Sequence, residues 1–278
     1  MPDGGLQSEV RARHQRVDAA ASVVLGARGG RTVLRNLAQQ GSAKVFLPRA
    51  HQPEPEVVFL NTAGGLTGGD QLRFALEMQD GSRAVATTQT AERAYASLGG
   101  NAAKLDISIS VGACGDLAWL PQETILFDQS ALHRRTQIDL AEGATLLTCE
   151  MVVLGRAAMQ ETVTRLNFRD WRDIRRGGRP VVLEPLALND QHLAQDGAVM
   201  LDGARVFGTM IYLAPDAEDR LAPLRAMLEA QGVTAAASAW DGKLIIRALA
   251  ADAWPLKVLF ARLIEYLRAA PLPRVWQV

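Results

Sequence analysis

At 278 residues, 48% hydrophobic and 22% charged, the chain can bury a substantial core and is too ordinary in composition for a fibrous or disordered protein. Thirty Lys and Arg balance thirty Asp and Glu, which excludes a protein drawn as a whole to nucleic acid or an anionic membrane. Cys114 and Cys149, 35 positions apart with no CxxC pair, do not form a disulfide framework and favour a reducing compartment.

The stretch MPDGGLQSEVRARHQR has no apolar core and does not read as a signal peptide. No run approaches the roughly 20 apolar residues of a membrane span, so a soluble, cytoplasmic protein is expected. Leu72, Phe74, Leu76 and Met78 alternate with polar neighbours, the period of a half-buried strand. Leu105, Ile107, Ile109 and Val111 repeat it, and Ala144 to Leu154 is apolar on both faces, as a strand covered on both sides would be. Gly81, Gly112 and Gly143 mark turns at 31-residue intervals. That period fits the rungs of a β-solenoid, while a twisted sandwich of hairpins stays equally open. Further on, Arg205–Ala214 predicts a strand, and Asp216 a cap for a helix carrying Leu221, Leu224 and Leu228 that stops at Gly232. Asp241-Gly242 predicts a hairpin, and Asp252 with Pro255 opens a second amphipathic helix through Leu267. The expected fold is mainly β, stacked or twisted, with two C-terminal amphipathic helices. It forms one domain over 1–278, with a β-rich body at 1–204 and an α/β extension at 205–278.

The sequence NTAGGLTGGD at 61–70 has the glycines of a phosphate loop but not its chemistry. No GK[ST] follows, the spacing is not GxGxxG, and the loop feeds a strand rather than the helix whose N–H groups would hold an anion. A rigid loop presenting Asn61, Thr62, Thr67 and Asp70 explains the interleaved polar residues better.

This loop resembles the signature of the UreD (UreH) family of urease accessory proteins. The resemblance continues in order through Thr87-Thr88-Gln89, the segment WLPQETILFD at 119–128, LGRAAM at 154–159 with Glu161, and Pro273-Arg274-Val275-Trp276. It departs at Thr62-Ala63, where the family often has proline, and at Thr90–Ala96. It implies a scaffold without catalytic residues that binds a UreF-type helical protein and, through it, a UreG-type GTPase. The assembly would dock on apo-urease during GTP-dependent nickel insertion. The family is also thought to hold an internal passage for nickel.

Asp70, Glu150 and Glu184 are the candidate site residues, because a carboxylate among apolar neighbours needs a partner, water or a proton. Three readings compete: pairing with arginine, transient oxygen ligands along a nickel passage, and a glycosidase acid–base pair. His14, His51, His133 and His192 form no HxH or i,i+4 pair, so no tightly bound metal or other cofactor is expected and nickel would be transient. Within 119–128, Gln122, Glu123, Thr124 and Asp128 are expected at a partner or a polar cavity. Arg169, Arg172, Arg175, Arg176 and Arg179 around Asp170 and Asp173 read as a loop with internal ion pairs, and docking on an acidic partner is the other reading.

Overall fold

The computed structural model describes residues 16–48, 54–195, 197 and 200–277; His14 and His51 lie outside them. The chain starts with β1 (Asp18–Arg28), β2 (Arg31–Gln40), β3 (Ala43–Phe46) and β4 (Glu56–Asn61). Three coils follow: β5 (Gln71–Met78), β6 (Arg83–Thr88) and β7 (Glu92–Ala94); β8 (Ala103–Val111), β9 (Asp116–Leu120) and β10 (Thr124–Leu126); β11 (Ser130–Leu140) and β12 (Thr145–Leu154). The remainder is the hairpin β13 (Leu166–Arg176) and β14 (Arg179–Asn189), one turn of α1 (Asp190–Leu193), β15 (Val206–Leu213) and α2 (Leu221–Met227). Then come the hairpin β16 (Val233–Trp240) and β17 (Lys243–Ala250), and α3 (Ala253–Arg268).

Each coil contributes a strand to each of two sheets. Sheet A has seven strands in the order β14-β13-β11-β8-β5-β1-β2, and sheet B has ten along β16-β17-β15-β12-β9-β6-β4-β3, with β7 and β10 on a branch. The strands β1, β5, β8, β11 and β13 are parallel and in register. The fold is therefore solenoid-like, with register repeats of 104 − 71 = 33 residues between β5 and β8 and 132 − 103 = 29 between β8 and β11, which average to the 31-residue interval of the glycines. The turns stack through Gly81 N–H to Ala113 O (2.8 Å) and Cys114 N–H to Glu142 O (3.0 Å). Gly112 serves close approach: a Cβ there would lie 2.6 Å from the Asp80 backbone nitrogen, and the positive φ of this turn falls on Cys114 instead.

One core fills the space between the sheets, from Leu72, Phe74 and Ile107 to Trp119, Leu146 and Phe168. A second lies on the far face of sheet B, where α3 sets Leu256, Leu259, Phe260, Leu263, Ile264 and Leu267 against Leu147, Cys149, Met151 and Met210. This is why β12 is apolar on both faces. Asp252 caps α3 by accepting from Trp254 N–H (2.8 Å), as the sequence predicts, and Asp241-Gly242 forms the expected turn with both φ positive.

Three local expectations fail. Asp216 does not cap a helix: α2 begins at Leu221, and Asp216 accepts from the Tyr212 hydroxyl (2.8 Å) and Arg220 Nε (2.7 Å). Gly232 lies in the turn before β16, beyond the helix end at Met227. The arginine run from 169 is mostly strand β13, with only Gly177-Gly178 forming a turn, and alternation sends Arg172 inward while Arg169 stays exposed. Among the described residues no helix is long and apolar enough to cross a membrane.

Candidate functional site

Sheet B forks. The first half of β12, Thr145–Thr148, pairs with β9, whereas Val152–Leu154 pair with β10. In the same way β9 adjoins β6, while β10 adjoins β7, and Leu66 bridges to Ala94 beyond it. The chain thus breaks its strand at the same level in three successive coils: at 62–65, 89–91 and 121–123. These breaks are the glycine loop, the end of the Thr-Thr-Gln motif and the Pro-Gln-Glu of the third motif. Gly65 fits there because its Cα approaches β7 closely, where a Cβ would lie 2.8 Å from the Arg93 carbonyl oxygen.

The motifs lock one another around this slit. The Thr87 hydroxyl donates to the Leu120 carbonyl (2.6 Å), and Trp276 Nε1 donates to the same oxygen (2.8 Å). Gln122 N–H donates to the Thr88 hydroxyl (2.9 Å), and Lys257 of α3 reaches Gln122 Oε1 (2.7 Å) and Glu123 (3.3 Å). Gln122 and Thr124 line the slit, as expected for polar members of that segment, but Asp128 does not. Its carboxylate accepts from Thr164 and Arg165 N–H (2.7 and 2.9 Å), bonds that outweigh the effect of burial and hold it below its ordinary pKa.

Beneath the slit is a cavity of about 40 Å³, room for about two or three water molecules. Its rim carries Asn61, Thr88, Glu92 and Gln122, and its floor carries Arg134 and Glu150. Arg134, wholly buried on β11, is the hub. It donates to Asp170 through Nε (2.9 Å) and Nη2 (2.7 Å), to Thr124 through Nη1 (3.0 Å), and pairs with Glu150. From Asp170 the chain of charges passes to Arg172 (3.7 Å), then Glu184 (3.3 Å), and Glu184 pairs also with Arg247. Arg172, Glu184 and Arg247 stand at the base of a groove of about 670 Å³ between the free edges of the two sheets, walled by Leu186, Phe207 and Leu249. A buried polar chain therefore joins the slit in sheet B to the open edge of the sandwich.

Burial raises the Glu150 carboxyl, Arg134 opposes the rise, and Asp170 adds to it. Burial acts on Asp170 as well, but Arg134 and Arg172 overcome it and hold Asp170 below the usual carboxylate range. Arg134 is driven further toward its charged form by Asp170 and Glu150, against the cost of its own burial. Arg172 Nε and one oxygen each of Glu150 and Glu184 are buried without a hydrogen-bond partner.

On the rim, Glu92 accepts from Asn61 Nδ2 (3.3 Å), and burial pushes it up to about 7, opposed by the Asn61 bond and Arg93. Its folded pKa lies above the unfolded value of 4.5, so the native state keeps a proton that the unfolded chain loses. The stability this gives is complete below that unfolded value and is lost as pH rises through about 7. Glu92→Gln should flatten that decline, read as the wild-type-minus-variant difference in urea unfolding across this window.

Of the three candidate carboxylates, Glu150 and Glu184 belong to this chain of charges, each bound to arginine. Asp70 is elsewhere: it is buried at the end of the glycine loop and accepts from Val17 N–H (2.9 Å) and Thr67 N–H (2.8 Å), bracing the loop. Among the described residues no three His, Cys, Asp or Glu side chains converge as a metal-binding group. Sequence reasoning missed Arg134 and the inward roles of Asp170 and Arg172. Their signal is parity: Arg134 shares its strand face with Leu132 and Ile138, and Asp170 and Arg172 share theirs with Phe168 and Ile174.

The family model described as UreD urease accessory protein matches residues 17–277. The chain is 58% identical over 264 residues to a urease accessory protein UreD of Cereibacter sphaeroides, covering 95% of this chain and 96% of that one. A UreD of Dinoroseobacter shibae is 51% identical over 268 residues (96% and 94%), and one of Rhizobium leguminosarum bv. trifolii 45% over 270 residues (96% and 97%). The match runs through the slit, its three breaks and the buried charge chain alike, and the chain belongs to the UreD family of urease accessory proteins.

Proposed function

We propose that this chain is a cytoplasmic scaffold that assists nickel insertion into urease and gives the ion a route through its own interior. It binds a UreF-type accessory protein and through it a UreG-type GTPase, and the assembly docks on apo-urease as GTP is hydrolysed. Nickel enters at one end of the buried chain of charges and leaves at the other, with Glu150 and Glu184 as transient ligands and Asp70 as the brace of the slit. Carboxylate oxygens are weak donors for nickel compared with imidazole or thiolate, which suits a protein that must release its cargo. The observation that carries the reading is the fork in sheet B, where the family's motifs converge over buried carboxylates that continue to a second opening. The glycosidase alternative gains nothing from this geometry, because Glu150 and Glu184 are separated by Arg134, Asp170 and Arg172 rather than facing one bond.

The test is activation of apo-urease by nickel, bicarbonate, GTP and the full accessory set, with and without this chain. Urease activity should appear only with it, and equal activation in its absence would sink the proposal.

A further inference from the structure

Among the described residues, Glu92 is the carboxylate at the slit that no cationic side chain claims. Glu150, Asp170 and Glu184 each pair with arginine, and Glu123 pairs with Lys257, whereas Glu92 forms no ion pair. The cations around the slit are engaged elsewhere. Arg93 lies exposed and donates to the Gly64 carbonyl (3.5 Å), Lys257 holds Gln122 and Glu123, and Arg134 is taken by Asp170 and Glu150. Glu92 also falls in Thr90–Ala96, where this chain departs from the family's pattern, so the shared motifs do not account for it.

The backbone fixes Glu92 at the rim. Its N–H donates to the Glu123 carbonyl (3.0 Å), and the register sets it beside Thr124, which stands beside Val152. Side chains alternate along a strand, so Glu150, two residues before Val152, faces the same way as Glu92. The two carboxylates line one cavity from rim and floor. Open polar atoms line it too: the Gln122 amide nitrogen and the Trp119 indole nitrogen are buried without an acceptor. One oxygen of Glu150 has no hydrogen bond, only its ion pair with Arg134. Gln122 and Glu150 are just 6% and 4% exposed, so these atoms can be satisfied only by what enters the cavity.

A divalent cation that binds carboxylate oxygens and keeps part of its hydration shell meets that need, in a space wide enough for about two or three waters. Glu92 is where it gains most, because no guanidinium has to be displaced first. Burial, opposed only in part by the Asn61 bond and Arg93, pushes this carboxyl up to about 7, as befits a site short of positive charge.

We infer that Glu92, steadied by Asn61, is the capture site at the mouth of the slit, taking a divalent cation with waters as its other ligands and handing it to Glu150 across the cavity. The inference rests on the passage reading.

The test is equilibrium dialysis of the purified, untagged chain against nickel chloride, with Glu92→Gln and, at the far end of the chain of charges, Glu184→Gln. Glu92→Gln keeps an oxygen to accept from Asn61 and should melt no lower than wild type. It should bind nickel about tenfold or more less tightly, while Glu184→Gln binds as wild type does. Equal affinity in Glu92→Gln and wild type overturns the capture site and leaves the passage standing, with nickel entering elsewhere. A loss confined to Glu184→Gln also overturns it, placing the first stop at the groove. So does a wild type that binds no nickel even at millimolar concentration. Binding lost only in Glu92→Gln, together with wild-type urease activation by Glu150→Gln and Glu184→Gln, keeps the capture site and removes the route behind it.

Discussion

Arg134→Leu should destabilise the fold by about 3–5 kcal/mol, the cost of leaving buried charges without their partner. The side chain holds Asp170 in a two-pronged contact, pairs with Glu150 and anchors Thr124 at the edge of the slit, all in a site closed to solvent. In the variant the two carboxylates can escape only by taking up protons. The loss should therefore be larger near neutral pH and smaller in mild acid, where the folded state binds the extra proton. Urea unfolding at two pH values reads both. The replacement Arg134→Met with Glu150→Leu and Asp170→Leu separates stability from function. Buried ion pairs exchanged for apolar side chains of similar volume are often neutral or stabilising, so this variant should recover much of the stability lost in Arg134→Leu, with Arg172 still held by Glu184. It should nevertheless fail to support urease activation. Activation at the wild-type rate would show that these charges serve the fold alone.

The coil architecture was legible because its signals are local and repeated. Leu105, Ile107, Ile109 and Val111 announce an inward face by period two, and the 31-residue interval of Gly81, Gly112 and Gly143 marks the stacked turns. Asp241-Gly242 and the Asp252 cap were readable for the same reason. What stayed hidden is the fork. A strand that stops at Leu120 and resumes at Thr124 looks in sequence like one strand with a proline in it, and only the partners of β12 show that the two halves belong to different branches. Pairing between distant segments has no local code. The candidate carboxylates divide along the same line. Glu150 and Glu184 were conspicuous as acids among apolar residues, but their place in one chain of charges depends on Arg134 and Asp170, which meet 36 positions apart. Asp70 looked equivalent to them, and its two backbone N–H donors could not be guessed from spacing: one comes from Val17, 53 positions away.

Glu150→Gln and Glu184→Gln, tested singly and together, should lower the initial rate of urease activation about 10- to 100-fold, the range lost when groups that hold or orient a metal are altered. The amide keeps the shape and the acceptor oxygen of each side chain, and Arg134 and Arg172 both retain Asp170. Melting temperature should therefore fall less than in Arg134→Leu, and co-purification with the accessory partners should persist. The charge balance gives the reason to expect a functional loss. Glu150, Asp170 and Glu184 offset Arg134, Arg172 and Arg247, so a cation crossing this interior must at each station displace a guanidinium from a carboxylate. Removing one negative charge leaves an uncompensated arginine, and in a poorly screened interior that is a barrier to a divalent ion. Glu184 sits between two arginines, so its variant should be the slower of the two. If both residues lie on one route, the double variant should be no slower than the worse single one, because a path already blocked is not blocked twice. Multiplied effects, or activation falling in step with melting temperature and complex yield, would mean that these carboxylates hold the sheets together and that nickel travels elsewhere.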